Sequence, residues 1–251
     1  MPNVFLSPSA QTGNYYVTGG TEEQSMNRLC DRVEPWLRSS GIAYVRAPRG
    51  QPPSQSILQA NAGRFDLYTA LHSNAAPEGQ YGSYRGVDVY YYQRGQNSRR
   101  AALGFAEALR TVYPLPQRVR TVPTLDLGEV TRTRAPAVLL ELGYHDNIQD
   151  ALWLRDDLDA IAQAVASGIL RYFDLPLVPP QEPQGAYAAL GSGVLRLRAR
   201  PSVQARVLAN IPNGGELTVV GTLEGWYVVQ YGRLTGYAAA PYVKLRPGNI
   251  S

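Results

Sequence analysis

Cysteine, histidine and lysine are nearly absent from this 251-residue chain, which has one cysteine (Cys30), two histidines (His72 and His145) and one lysine (Lys244). A single thiol excludes an internal disulfide and a multi-thiolate zinc site, and the apolar spacing around Cys30 predicts a buried position on a helix. Long apolar runs are missing too, since no stretch approaches the roughly 18 residues of a membrane span. The first residues, Met1-Pro2-Asn3-Val4-Phe5-Leu6-Ser7-Pro8, have neither the basic start nor the apolar run of a secretory signal peptide. Cytoplasmic synthesis and folding, without a membrane span, are therefore expected. Glycine (24) and proline (19) follow no fixed period, which excludes collagen-like and long coiled-coil readings. What is present, 44% hydrophobic and 18% charged residues, suffices to bury one or two cores.

The charge is unevenly placed. Residues 1–175 hold 17 Arg against 17 Asp and Glu, whereas residues 176–251 hold 7 Arg and Lys against 3 acids, so the whole net charge of +4 lies in the last third. Such a segment can meet nucleic acid, an anionic surface or an acidic wall polymer, and charge alone does not choose. Charge also assigns no oligomeric state.

Four prolines between Pro176 and Pro183 block helix and sheet and predict a spacer. The expected organisation is a domain over 1–175, a Pro-rich linker over 176–187 and a second domain over 188–251. Upstream, strands are predicted at Val4 to Leu6, Ile42 to Val45, Phe65 to Leu71, Val87 to Tyr92, Leu125 to Val130 and Ala137 to Leu140. Helices are predicted at Glu22 to Ser39, Ser54 to Ala62, Asn97 to Val112 and Asp150 to Phe173. In the first helix Met26, Leu29, Cys30, Val33 and Leu37 recur at the spacing of a buried stripe, with Thr21 as N-cap. Alternating strands and helices predict an α/β domain with a mostly parallel sheet sandwiched by helices. Downstream, short alternating runs separated by Pro212-Asn213-Gly214-Gly215, Glu224-Gly225 and Tyr231-Gly232 predict a small all-β barrel.

Both histidines follow predicted strands. His72 ends the strand at Leu71, and His145 lies four residues beyond Glu141, so in a parallel sheet both fall on the carboxyl-end rim where ligand sites form. Glu23, opening the first helix, joins that rim. Two imidazoles and a carboxylate are a ligand set for catalytic zinc with an open position for water, and a further glutamate, Glu141, suits the proton transfers. Burial at a strand end is expected to raise the Glu141 pKa.

The ordered set Leu6-Ser7-Pro8-Ser9, Glu23, Asp66 to Leu71 leading into His72-Ser73-Asn74-Ala75, Gly86-Val87-Asp88-Val89-Tyr90-Tyr91, and Pro136 through Tyr144 resembles the zinc-dependent N-acetylmuramoyl-L-alanine amidases. These are peptidoglycan hydrolases of bacteria and phage endolysins. The resemblance implies Zn2+ as cofactor, Glu23 and His72 as ligands, Glu141 as the catalytic glutamate and Asn74 as a substrate contact. The family's first histidine ligand is missing from Pro8-Ser9-Ala10-Gln11-Thr12-Gly13. His145, in a Tyr-His-Asp-Asn run shared with a phage-type branch, is the natural replacement, while Gln11 is a candidate substrate contact or oxygen ligand. Asp146 and Asn147 are expected to cap the final helix.

Residues 188 to 246 resemble bacterial SH3-like cell-wall-binding domains, carried by Leu195 to Ser202, Val207 to Gly214, Gly225 to Val229 and Gly236 to Val243. Trp226 is expected in the core, and Tyr231, Tyr237 and Tyr242 are open. The implied partner is bacterial peptidoglycan, with no nucleic acid. No Gly-x-Ser-x-Gly elbow, Walker loop or Rossmann fingerprint competes. The alternative function is a catalytically degenerate amidase fold that only binds wall or serves as a scaffold.

Overall fold

The computed structural model describes residues 2–247; Met1 and residues 248–251, the outer ends of the two expected domains, lie outside the described residues. The chain divides into two compact units, one from Pro2–Glu34 and Tyr44–Asp174, the other from Pro35–Ala43 and the chain from Leu175 onward.

Up to Asp174 the elements run β1 (Asn3–Pro8), α1 (Glu22–Ser39), β2 (Ala43–Arg46), α2 (Pro53–Ala62), β3 (Leu67–Asn74), β4 (Val87–Tyr92), α3 (Gln96–Arg110), β5 (Val119–Thr124), α4 (Gly128–Thr131), β6 (Ala137–Tyr144), α5 (Ile148–Asp156) and α6 (Leu158–Phe173). They build a six-stranded sheet of order β2-β1-β3-β6-β4-β5. The β1–β3, β3–β6 and β4–β5 pairs are parallel and β4–β6 is antiparallel, which gives the mostly parallel α/β architecture expected from the alternation. The two middle strands β3 and β6 are buried along almost their whole length. A strand covered on both faces takes apolar residues at consecutive positions, which is why Ala137-Val138-Leu139-Leu140 shows no alternation.

Helix α1 opens with a reciprocal capping box. Gln24 N–H donates to Thr21 Oγ1 (3.3 Å), and Thr21 N–H donates to Gln24 Oε1 (3.2 Å). Such a cap is worth about 1 kcal/mol and fixes where the helix begins. The stripe Met26, Leu29, Cys30, Val33 and Leu37 is fully buried.

Three elements differ from the sequence expectation. Leu125 to Val130 is not a strand: β5 is Val119–Thr124, and Gly128–Thr131 turns into α4. Pro123 fits β5 because that strand lies at the sheet edge, where a missing N–H is tolerated. The closing helix is two helices, parted at Asp157. Strand β6 runs past Leu140 to Tyr144, with Gly143 at φ +75° and the Asp150 carboxylate accepting Tyr144 N–H at 3.0 Å.

The second unit carries β7 (Gln184–Ala188), β8 (Val194–Arg198), β9 (Val207–Pro212), β10 (Glu216–Leu223), β11 (Trp226–Tyr231), β12 (Leu234–Ala239) and β13 (Val243–Leu245). They form an antiparallel sheet of order β13-β7-β10-β11-β12-β8-β9 around Leu195, Leu197, Ile211, Val219 and Val229, the all-β module expected downstream. Strand β7 begins inside the segment expected as linker, because Gln184 to Tyr187 pair with β10. Val178, in the same segment, is buried with Val220, Val228 and Tyr237, and Trp226 packs against them. Tyr237 is thus a core residue, whereas Tyr242 is half exposed. Among the described residues, no helix is long and apolar enough to cross a membrane.

Candidate active site

Four adjacent strands carry one polar row across the sheet. His72 on β3 is in register with Glu141 on β6, Glu141 with Asp88 on β4, and Asp88 with Arg120 on β5. Register partners share a face, so the imidazole, two carboxylates and guanidinium project to the same side. Arg120 clamps Asp88 bidentately, Nε to Oδ1 at 2.8 Å and Nη2 to Oδ2 at 2.9 Å.

His72 is held at both ring nitrogens: Nδ1 lies 3.0 Å from Glu22 Oε1 and Nε2 lies 2.9 Å from Glu129 Oε2. Glu22 is fully buried, and its Oε2 accepts from Asn14 Nδ2 (2.7 Å). Glu129 Oε1 accepts from Ser7 Oγ (2.7 Å) and Tyr68 Oη (2.6 Å). Burial disfavours the charged form of all three groups, but their mutual hydrogen bonds and charges prevail. The His72 pKa is pushed up to about 10, and both carboxyls are held below their usual range.

Glu141 stands apart from this satisfied cluster. Its Oε2 is buried without a hydrogen-bond partner. Burial raises its pKa, His72 opposes this, and the charges of Glu22, Asp88 and Glu129 add to it, leaving the carboxyl at about 7. A carboxyl poised there can both take and return a proton near neutrality.

The acidic residue that reaches His72 is Glu22 rather than Glu23. Adjacent helical residues point about 100° apart, and the capping box sets Glu22 inward. Glu23 Oε1 instead pairs with Arg49 Nε (3.0 Å) and Asn27 Nδ2 (3.2 Å). His145 is buried after β6, its Nδ1 3.3 Å from Ser73 Oγ, which accepts from Tyr16 Oη at 2.7 Å. Gln11 is exposed, and its Oε1 accepts from the Asn14 amide that also holds Glu22. Asn74 Oδ1 accepts from Ala75 N, and its backbone oxygen from His145 N. Asn147 caps α5, accepting from Gln149 and Asp150 N–H. Asp146 does not cap; it accepts from Ala76 and Gly82 N–H and ties down that loop. Sequence reasoning passed over Glu22, although it neighbours Glu23, and Glu129, which falls in the segment expected as a strand.

Among the described residues, no group of three or more His, Cys, Asp or Glu is gathered to hold a metal ion. The donor chemistry of the pair nevertheless fits zinc. The 3.0 Å between Glu22 Oε1 and His72 Nδ1 is close to the roughly 3.3 Å separating two donors on one tetrahedral zinc. A carboxylate behind Nε2, as Glu129 is, is the kind of partner that orients an imidazole toward a metal.

The family model for N-acetylmuramoyl-L-alanine amidases matches residues 9–171, and that for bacterial SH3 domains matches residues 193–244. The chain is 32% identical over 124 residues to the uncharacterized protein YqiI of Bacillus subtilis (strain 168), covering 48% of this chain and 57% of that protein. It is 25% identical over 167 residues to an endolysin of Bacillus phage SPP1, covering 62% of this chain and 60% of the endolysin. It therefore spans less than two thirds of the length of these relatives. Among solved structures, the amidase AmiC2 of Nostoc punctiforme superposes with a TM-score of 0.60 at 19% identity, over 69% of this chain and 97% of that one. The catalytic domain of the CD27L endolysin gives 0.56 at 20% identity, over 68% and 97%. These likenesses show the shared fold. With its family model matching more than half of the chain, this protein belongs to the N-acetylmuramoyl-L-alanine amidase family.

Proposed function

We propose that the protein is a zinc-dependent peptidoglycan hydrolase that cuts the amide between N-acetylmuramic acid and L-alanine, acting as a phage-type endolysin with its antiparallel β module held on the wall. The observation that carries this reading is the unpartnered, buried Glu141 oxygen in register with His72. Glu22 and His72 would hold the zinc, and His145, whose ring lies against Ser73, would have to swing toward them to serve as the third protein donor. Zinc bound there would supply Lewis acidity to the amide carbonyl and acidify water. Glu141, as carboxylate, takes the proton of the attacking water and then gives it to the amide nitrogen, so that the C–N bond breaks to a carboxylic acid and an amine. Glu129 keeps the imidazole oriented, and Asp88 keeps a negative charge beside Glu141 that favours its proton-holding form. The endolysin similarity and the SH3 match support the wall as the site of action.

Mass spectrometry of wall fragments tests the reaction: the products are muramic acid with a free lactyl carboxylate and peptides with a free alanine amine. Intact amide linkages after incubation with zinc-supplied protein would contradict it. That no three-donor group is gathered among the described residues favours the second reading, a degenerate amidase fold that binds wall without cutting it. That reading predicts wall binding with no such products.

A further inference from the structure

A cavity of about 530 Å³ shares Tyr16 with the site as a wall. The hydroxyl of Tyr16 is bonded to Ser73, next to His72, so the cavity adjoins the reaction centre through one side chain. Its rim carries three guanidinium groups, Arg28 on α1, Arg49 after β2 and Arg155 on α5, and no acidic residue lines it. Arg49 is engaged with Glu23. Arg28 contacts a neutral partner, the Ser25 hydroxyl, at 3.5 Å. Arg155 pairs with its neighbour Asp156 on the open surface, an arrangement worth little in water. Gly19 and Gly20 also line the cavity at φ +91° and +83°, which leaves that stretch of wall without side chains and open to close backbone approach. A smaller hollow shares Ser25, Arg28 and Arg155 and extends the same cationic wall.

We propose that this cavity is the subsite for the peptide on the amine side of the scissile bond, and that Arg28 and Arg155 bind its ionised carboxylates; the proposal rests on the amidase reading above. The amide joins a sugar acid to a peptide, and once the amide is formed the sugar's carboxyl is no longer charged. Ionised carboxylates therefore lie on the peptide side, and the planar guanidinium fork matches a carboxylate bidentately. The volume suits a short peptide within the usual range of ligand pockets, about 300–1,000 Å³. A competing occupant, a phosphate-bearing wall polymer, would meet the same charges.

The test uses the full chain and two dye-labelled probes, an Ala-Glu dipeptide with both carboxylates free and its diamide, read by fluorescence anisotropy. The expected result is that the diamide binds at least about tenfold more weakly than the free acid. The paired substitution Arg28→Ala with Arg155→Ala is expected to reduce free-acid binding to the diamide level, and Arg28→Lys with Arg155→Lys to restore part of it. Equal binding of the two probes, or free-acid binding untouched by the alanine pair, would overturn the subsite. Loss of poly(glycerol phosphate) binding in the alanine pair, with free-acid binding untouched, would assign the cavity to the polymer instead. Alanine release from whole wall is measured separately. Normal release without carboxylate-dependent binding removes the subsite and leaves the amidase, whereas carboxylate-dependent binding without release removes the amidase and, with it, the assignment to a scissile bond, leaving a carboxylate-binding cavity on a fold that does not cut.

Discussion

His72 and Glu141 face each other across the parallel β3–β6 ladder as register partners, one side chain bonded at both nitrogens and the other left with a bare buried oxygen. The asymmetry separates a group that is held from the group to which the proposed reaction gives the proton transfers. It also makes Glu141 a cost to the fold once ionised. In the folded protein its pKa is raised from 4.5 to about 7. Between those values the folded state holds more protons than the unfolded state, so stability falls as pH rises through this window and is flat above it. Glu141→Gln is therefore expected to melt several degrees above the unsubstituted protein at pH 8, with the gap closing at pH 4.5. Thermal unfolding across pH checks this, and a gap independent of pH contradicts it.

In the proposed reaction the ionisation of Glu141 sets the acid limb. The proposed hydrolysis needs the Glu141 carboxylate, so kcat/KM is expected to rise with pH to a plateau as that carboxyl ionises. Asp88→Asn removes a negative charge that raises the Glu141 pKa, and is expected to move that limb to lower pH. A limb that stays in place would remove Asp88 from this role.

Glu22 and Glu23 are adjacent in sequence and turn to different partners. Glu22→Gln is expected to weaken zinc binding by more than about tenfold, because its Oε1 faces His72 Nδ1. Glu23→Gln is expected to leave zinc affinity within about twofold, since Glu23 faces Arg49 and Asn27. Competitive zinc titration of both variants decides, and the reverse order would return the ligand role to Glu23.

Glu129 gathers three buried partners, Ser7, Tyr68 and His72. Glu129→Ala strands all of them and is expected to cost about 3–5 kcal/mol in denaturant unfolding. Glu129→Gln keeps the shape and is expected to lower zinc affinity about 10–100-fold. Unchanged zinc affinity in the glutamine variant would leave Glu129 a purely structural residue.

Local patterns made much of this legible. The stripe Met26 to Leu37 and the unbroken apolar run Ala137 to Leu140 state their burial directly, and a polar residue ending such a run marks the sheet rim, which is how His72 and Glu141 stand out. The rest depends on contacts distant in sequence. Glu129 meets partners 57, 61 and 122 residues away, and nothing beside it in the chain announces them. The alternation of Leu125 and Leu127 mimics a strand, while Pro123 disguises the true edge strand. Glu22 and Glu23 differ only in helical phase, which the Thr21–Gln24 cap decides. Strand β7 hides behind prolines because its pairing with β10 lies outside the local sequence.

Release of alanine amino termini from purified peptidoglycan, by the unsubstituted protein and by Glu141→Gln, each with and without a zinc chelator, tests the central claim most directly. Chelator-sensitive release by the unsubstituted protein is expected, and release at least about 100-fold slower by the folded Glu141→Gln variant. Equal release by the two proteins, or none from the zinc-supplied unsubstituted protein, would contradict it.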